Sequence, residues 1–429
     1  MAFSRRDFDL EALESAVRSA ALGKAAHMFG TFMTAVGAAT PEQPIVCPEC
    51  AERMVCTGPR SKQILTMLGR VSYTRARYRC PSCKSVAYPG DEALDVAGIS
   101  RSPGVRRQAA RLGAKEPFHE VAEDLRELAG IALSRKDAEC IAEGVGDDIE
   151  ARDARERERI RFLQAPPPES PRTIETLYIE LDGTGVPMVS WEVEGRKGKQ
   201  HDGSAKTREA KLGCVFTQTA QDEQRRPVRD PASTTFTGAI EDAATFGRRL
   251  YAESVRRGLF EAKRVVILSD GAEWIKNLAG MHFAMAQRII DFYHAKEHAA
   301  ALCQALFNKP ADVIRYRERW WDLLAQGQIE EIVLQANAHL PNNPNDNKDA
   351  RREIAYLEKN KEQMRYEAFR EQGLFIGSGV IEAACKNLIG KRLKQSGMEW
   401  TVRGANAIIA LRCATLSRRF QDYWDDRAA

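Results

Sequence analysis

Three acidic residues are placed where they could do chemistry. Asp182 ends the apolar run Leu177-Tyr178-Ile179-Glu180-Leu181-Asp182, and Asp270 ends a second run, Val265-Val266-Ile267-Leu268-Ser269-Asp270. Glu382 lies in Gly377-Ser378-Gly379-Val380-Ile381-Glu382-Ala383-Ala384-Cys385-Lys386-Asn387. Two aspartates at strand ends and a helical glutamate make an all-oxygen donor set, which hard divalent cations such as Mg²⁺ or Mn²⁺ take. A pair of such ions activates a water or a 3′-hydroxyl and stabilises the leaving oxygen of a phosphodiester. Metal-dependent cutting of a polynucleotide is therefore the chemistry these acids point to.

An Asp-Gly pair after a strand is also a common turn signal, so the reading rests on the three acids together. Lys386 follows Glu382 by one helical turn and shares its face. Lys391, Arg392 and Lys394 extend a basic surface suited to phosphates. Asp291, in Ile290-Asp291-Phe292-Tyr293-His294, is a rival ligand. His294 is a candidate general base or DNA contact, against the plainer reading of a helix cap beside a satisfied polar residue. Trp320 and Trp321 read as core packing rather than as a platform for an extruded base.

A second constellation is Cys47-Pro-Glu-Cys50 and Cys80-Pro-Ser-Cys83. Between them, Ile64 to Arg79 alternates in period two around a Gly69 turn, so the two knuckles sit on a β-hairpin. Four thiolates so spaced predict a structural Zn²⁺ held by Cys47, Cys50, Cys80 and Cys83, as in a zinc ribbon. Cys56 is a competing ligand. Cys140, Cys214, Cys303, Cys385 and Cys413 are scattered and read as structural.

Downstream, Phe118–Leu128 is an amphipathic helix, and Ala129-Gly130-Ile131-Ala132-Leu133 is a tight turn. Ser134 N-caps a second helix with Arg135 and Lys136 in its first turn. That is a helix-turn-helix pattern, with Arg135 and Lys136 as DNA contacts. From Arg53 to Lys115, basic residues face only Asp91, Glu92 and Asp95. Such a patch on a chain of net charge +4 is an electrostatic footprint of nucleic-acid binding.

These sites need elements to hold them. At 429 residues the chain exceeds one ordinary core. A composition of 43% apolar and 29% charged residues fits a soluble globular protein, and no apolar run is long enough to span a bilayer. The acidic, amphipathic start is unlike a secretory signal, so a cytoplasmic protein is expected. Residues 1–44 read as an N-terminal helical segment, with helix over 8–36. Residues 45–98 read as the zinc-ribbon module and 99–165 as the helix-turn-helix region, with a charged helix over 151–165. Pro166-Pro167-Pro168 marks a linker. Strands are expected at 176–182, 186–193, 211–218 and 264–269, with a helix at 240–258. That order predicts an α/β, RNase H-like catalytic domain over 172–429, with a helical insertion at about 295–372 before Glu382.

Asp182-Gly-Thr, Ser269-Asp270-Gly-Ala-Glu-Trp, Asp291-Phe-Tyr-His294, the Gly377–Asn387 block and Arg392-Leu-Lys-Gln-Ser-Gly-Met-Glu-Trp400 together resemble bacterial insertion-sequence transposases of the ISKra type. The resemblance covers the whole chain. It implies a DDE transposase with Asp182, Asp270 and Glu382 as metal ligands, acting as a dimer or larger assembly on double-stranded DNA. Two other classes stand beside it: a DNA-binding regulator or domesticated relative without chemistry, and a structure-selective nuclease without strand transfer.

Overall fold

The computed structural model describes residues 9–162, 174–198, 200–341, 343 and 346–428. The expected proline linker at 166–168 lies outside them. The chain divides into two compact units, Met1–Val145 and Gly146–Ala429.

In the first unit, helix α1 (Leu10–Ala38) precedes the antiparallel hairpin β1 (Val55–Thr66) and β2 (Gly69–Arg79). Strand β1 begins well before Ile64, where the alternating stretch starts, while β2 ends with it at Arg79. Gly69, at φ +105°, makes the turn that an L side chain would strain. Helix α1 packs on β2 closely enough that a Cβ at Gly30 or Gly37 would lie 2.8 Å from the carbonyl oxygen of Ser72 or Thr74. Met33, Ile64, Val71, Tyr73 and Val96 form the core between them. Helices α2 (Pro103–Gly113) and α3 (Phe118–Ala129) and the start of α4 (Arg135–Arg161) enclose a second core of Leu65, Val105, Ala109, Val121, Leu125, Ile131 and Ala138. Gly130, left-handed at φ +69°, terminates α3. The charged segment expected as a separate helix over 151–165 is, as far as Arg161, the continuation of α4, and residues 163–165 lie outside the described ones.

The second unit is built on a five-stranded mixed sheet: β3 (Ile174–Pro187), β4 (Thr207–Gln218), β5 (Thr235–Ala239), β6 (Ala262–Ser269) and β7 (Gln287–Ile290). The spatial order is β7-β6-β3-β4-β5. Strands β3, β4 and β5 pair antiparallel, while β6 and β7 join parallel to β3 and to each other. Helix α5 (Ala243–Arg256) crosses from β5 to β6, and α6 (Glu273–His282) from β6 to β7. The strand expected at 186–193 is absent. Instead β3 runs unbroken to Pro187, and Ser190–Val193 is one helical turn. The short strands β5 and β7 carry too few residues for a periodic signal, and the sequence does not announce them.

Alternation along β3 separates two faces. Leu177, Ile179 and Leu181 point into a core with Val215, Phe246, Leu250, Ile267, Ile275 and Leu278, which belongs to α5 and α6. Full burial of each aliphatic side chain contributes about 1.5–3 kcal/mol. Tyr178, Glu180 and Asp182 point to the opposite face, so the site residues lie away from that core. Helices α7 (Phe292–Leu306), α8 (Pro310–Ala325), α9 (Ile329–Ala338) and α10 (Lys348–Asn360) follow β7 as the insertion. Trp320 is fully buried there, and its indole N–H donates to Gln335. The chain then returns as α11 (Gly379–Ala384), a wider turn at Cys385–Gly390, and Lys391–Leu393. Helix α12 (Val402–Leu416) packs against β5.

Candidate active site and cysteine quartet

Parallel pairing of β3 with β6 aligns Glu180 with Leu268. Two residues on, Asp182 lies within β3 and Asp270 just past the end of β6, near enough for the Asp270 charge to act on the Asp182 carboxyl. Asp182 Oδ1 accepts the Gly183 N–H at 2.6 Å, and Oδ2 accepts the Cys385 thiol at 3.3 Å. Burial raises the Asp182 carboxyl above its usual range; the thiol and the Gly183 N–H oppose this, and the Asp270 charge adds to it. Asp270 Oδ1 accepts the Ala272 N–H at 2.9 Å, and its carbonyl accepts the Tyr356 hydroxyl at 3.0 Å. Tyr356 thus fixes the loop after β6.

Glu382 is exposed on α11, one turn before Cys385. It lies close enough for its charge to help push the half-buried Cys385 thiol upward, after burial itself and Asp182. Two buried carboxylates tie down the start of this helix. Glu180, fully buried, accepts the Ile381 N–H at 2.8 Å. Asp291, 2% exposed, accepts the Ser378 N–H at 2.5 Å, the Ser378 hydroxyl at 2.9 Å and, through its other oxygen, the His294 N–H at 2.7 Å. Asp291 therefore caps α7 and pins the glycine turn before α11, and its oxygens point to these donors. Burial pushes Glu180 up to about 8, with the Ile381 N–H lowering it and Asp291 raising it. Sequence reasoning missed Glu180 because it looks like one polar residue in an apolar strand.

The wider turn leaves carbonyls without the usual helical partner: the Lys391 N–H reaches back to Lys386 O. Arg412 of α12 supplies the missing donors, its Nε reaching Leu388 O at 2.6 Å and another nitrogen Asn387 O. Lys386, Lys391 and Lys394 are exposed, and Lys394 Nζ donates to the Thr184 hydroxyl at 2.6 Å. Arg392 corrects the expectation of a DNA contact. It is wholly buried, lies 5.2 Å from the Trp400 ring centroid and reaches the Met398 sulfur, so no phosphate can approach it. A long side chain read as surface charge serves here as packing.

In the first unit the sulfurs of Cys47, Cys50, Cys80 and Cys83 all lie within 4.8 Å of one another. The sulfurs stand 3.4 Å apart for Cys47–Cys83 and for Cys50–Cys80, and 3.6 Å apart for Cys50–Cys83. A tetrahedral ion with Zn–S bonds of about 2.3 Å has sulfur–sulfur edges of about 3.8 Å, so the donor set fits zinc. The knuckles match each other. The first cysteine of each is buried and the second exposed, and Ala51 and Lys84, which follow, are both left-handed at φ 57° and 66°. Ser85 hydrogen-bonds to Cys83 and lowers its thiol, while the neighbouring sulfurs raise that of Cys50, so the four thiols share protons as one cluster. Cys56 stands on β1 opposite Tyr78, outside the quartet. All ten cysteines are free. Among the described residues, no three of the candidate catalytic acids come as close together as these sulfurs do.

Ser134 and Asp137 form a reciprocal cap at the start of α4: Ser134 Oγ accepts the Asp137 N–H at 3.0 Å, and Asp137 accepts the Ser134 N–H at 3.2 Å. Arg135 and Lys136 are exposed there, and Lys136 pairs with Glu139 at 2.7 Å. The basic stretch is partly spent inside the unit. Lys62 and Arg75 converge on buried Asp91, and Arg106 on Asp95. Arg53, Arg60, Arg70, Arg79, Lys84, Arg111 and Lys115 remain exposed. Among the described residues no helix is long and apolar enough to cross a membrane.

The UPF0236 protein in vanSb 3′region of Streptococcus gallolyticus is 24% identical over 377 residues, 85% of this chain and 74% of that protein. A UPF0236 protein of Caldanaerobacter subterraneus subsp. tengcongensis is 22% identical over 375 residues, 84% of this chain and 69% of that protein. Among solved structures, a chain of the Drosophila P element transposase strand transfer complex aligns over 76% of this chain and 80% of its own. Its TM-score is 0.26 at 10% identity, too low for a fold to be argued from it. A family model described as Uncharacterised protein family (UPF0236) matches residues 48–420, from the first cysteine knuckle to the C-terminal helices, and the chain belongs to that family.

Proposed function

We propose that this chain is a DNA transposase of an insertion sequence, with Asp182, Asp270 and Glu382 as a DDE triad. One observation carries the reading: β3 and β6 run parallel and in register, so Asp182 and Asp270 stand together on the sheet face where buried Glu180 and Asp291 hold the helix of Glu382. The reading takes the second unit as an RNase H-like catalytic domain. Three antiparallel strands followed by two parallel ones, in the order third-second-first-fourth-fifth, support it.

The acids fit Mg²⁺ or Mn²⁺. They offer only oxygen, and Asp182 is destabilised as an anion by burial and by Asp270, which a cation would offset. When bound, such ions supply the activated nucleophile and the stabilised leaving oxygen. The chain itself supplies position. Tyr356 holds the Asp270 loop, Cys385 orients Asp182, and Glu180 with Asp291 sets the height of Glu382. Lys386, Lys391 and Lys394 offer exposed cations to the DNA backbone. Cys47, Cys50, Cys80 and Cys83 hold structural zinc, and Arg135 and Lys136 contact the element's terminal repeats. Cleavage frees a 3′-hydroxyl, which then attacks target DNA. Two ends must be held together, so a dimer or larger assembly is part of the proposal.

The test is joining of a labelled element end to target DNA with Mg²⁺. Joined products from wild type and none from Asp182→Ala support the reading. Equal joining by Asp182→Ala overturns it.

A further inference from the structure

We propose that His294 and His298 form a second metal site, separate from the cysteine quartet and from the triad, for a divalent transition ion such as Zn²⁺. The site rests on four observations in α7 and α10 and does not depend on the transposase reading.

His294-Ala295-Lys296-Glu297-His298 has the H-x-x-E-H spacing, which sets two imidazoles one turn apart on one helix face. Their Nε2 atoms face each other at 3.2 Å. Two Zn–N bonds of about 2.0–2.1 Å at a tetrahedral angle put the nitrogens about 3.3–3.4 Å apart, so the pair already has the spacing of a chelate edge.

The outer nitrogens decide what the inner ones present. His298 Nδ1 is 2.5 Å from Glu353 Oε2, and His294 Nδ1 is 3.5 Å from Glu297 Oε2. An ionised carboxylate only accepts, so Glu353 sets the hydrogen on His298 Nδ1 and leaves the His298 Nε2 lone pair turned toward His294 Nε2. A divalent ion held there takes the place of the hydrogen that otherwise joins the two Nε2 atoms. A carboxylate on the far nitrogen is the arrangement that fixes the tautomer and strengthens a metal-ligating histidine.

The rings are also held in place. Tyr356 stacks on His298 at 3.7 Å between centroids, with planes 18° apart, and its hydroxyl is engaged by the Asp270 carbonyl. The Asp291 cap fixes the first turn of α7, which carries His294. Both imidazoles keep partial exposure, 34% and 24%, so water can complete the coordination sphere.

The experiment is equilibrium dialysis of the full chain against Zn²⁺ with elemental analysis, on wild type and on the His294→Ala/His298→Ala double variant. Wild type binding one more ion per chain than the double variant supports the site, and the difference is independent of the ion on the cysteines. Equal ion counts overturn it and leave the pair sharing a proton. Glu353→Gln keeps both imidazoles and serves where the double variant fails to fold. It is expected to weaken the second ion about 10–100-fold, and unchanged affinity would contradict the orienting role.

Discussion

Each of the three proposed metal ligands has a neighbour that defines its task. Asp182 is turned by Gly183 and Cys385, Asp270 sits in a loop held by Tyr356, and Glu382 is exposed on a helix whose start is clamped by Glu180 and Asp291. Ligands and clamps should fail differently. Asp270→Asn should lower strand cleavage about 10²–10⁴-fold, several kcal/mol of lost transition-state stabilisation, with DNA affinity and thermal midpoint unchanged. Cleavage and gel-shift assays on the same preparation check this. Asp291→Ala strands donors from Ser378 and His294 inside the protein and should cost about 2–4 kcal/mol. Denaturant unfolding with an unchanged slope would register it. Asp291 is legible in the sequence as an acid at a strand end. Its clamp on Ser378 is not, because the partners are far apart in sequence and meet only in the folded sheet.

At the level of elements, what is readable follows period and punctuation. The cysteine knuckles, the Gly69 turn, the Gly130 stop and the Ser134 cap lie in stretches where local chemistry decides structure. The sheet is readable only where strands are long and apolar. Strands β5 and β7 are short, and Pro187, the one breaker between β3 and the Ser190–Val193 turn, marks the end of a strand and not its start as expected. Arg392 misleads because sequence does not distinguish a guanidinium stacked on Trp400 from one in solvent. Chelation of zinc should unfold the hairpin module, since metal-binding energy in so small a core is folding energy. Circular dichroism should then show loss of a first transition, with the second retained. Replacing Arg135 and Lys136 by Ala should flatten the dependence of DNA affinity on salt by about one unit for each phosphate no longer neutralised. An unchanged slope would remove them from the interface.

Across the second unit, charge is buried in pairs. Glu253, 2% exposed, meets Arg256 at 2.9 Å and Arg419 at 3.1 Å, while Arg249 bridges Glu150 and Glu241 at 2.8 and 2.7 Å. Burial alone would raise the Glu253 carboxyl, but Arg419 and Arg256 outweigh it and hold it below its ordinary value. Its contribution is therefore present above the ordinary glutamate value and is lost as pH falls through the lower, folded value. Glu253→Gln leaves two arginines short of a counter-charge and should cost about 3–5 kcal/mol at neutral pH. Thermal melts should show the gap between variant and wild type narrowing on acidification. Such a network braces α5, which joins β5 to β6, and so supports the strand that delivers Asp270. In the proposed function, this frame serves to hold a metal-dependent DDE triad. The sharpest test is cleavage of labelled DNA carrying the element's end, with and without Mg²⁺, by wild type and Glu382→Gln. Wild type should nick this DNA only with Mg²⁺, and the variant should bind it without nicking. Binding without cleavage by wild type under any divalent metal, or full cleavage by Glu382→Gln, would contradict the triad.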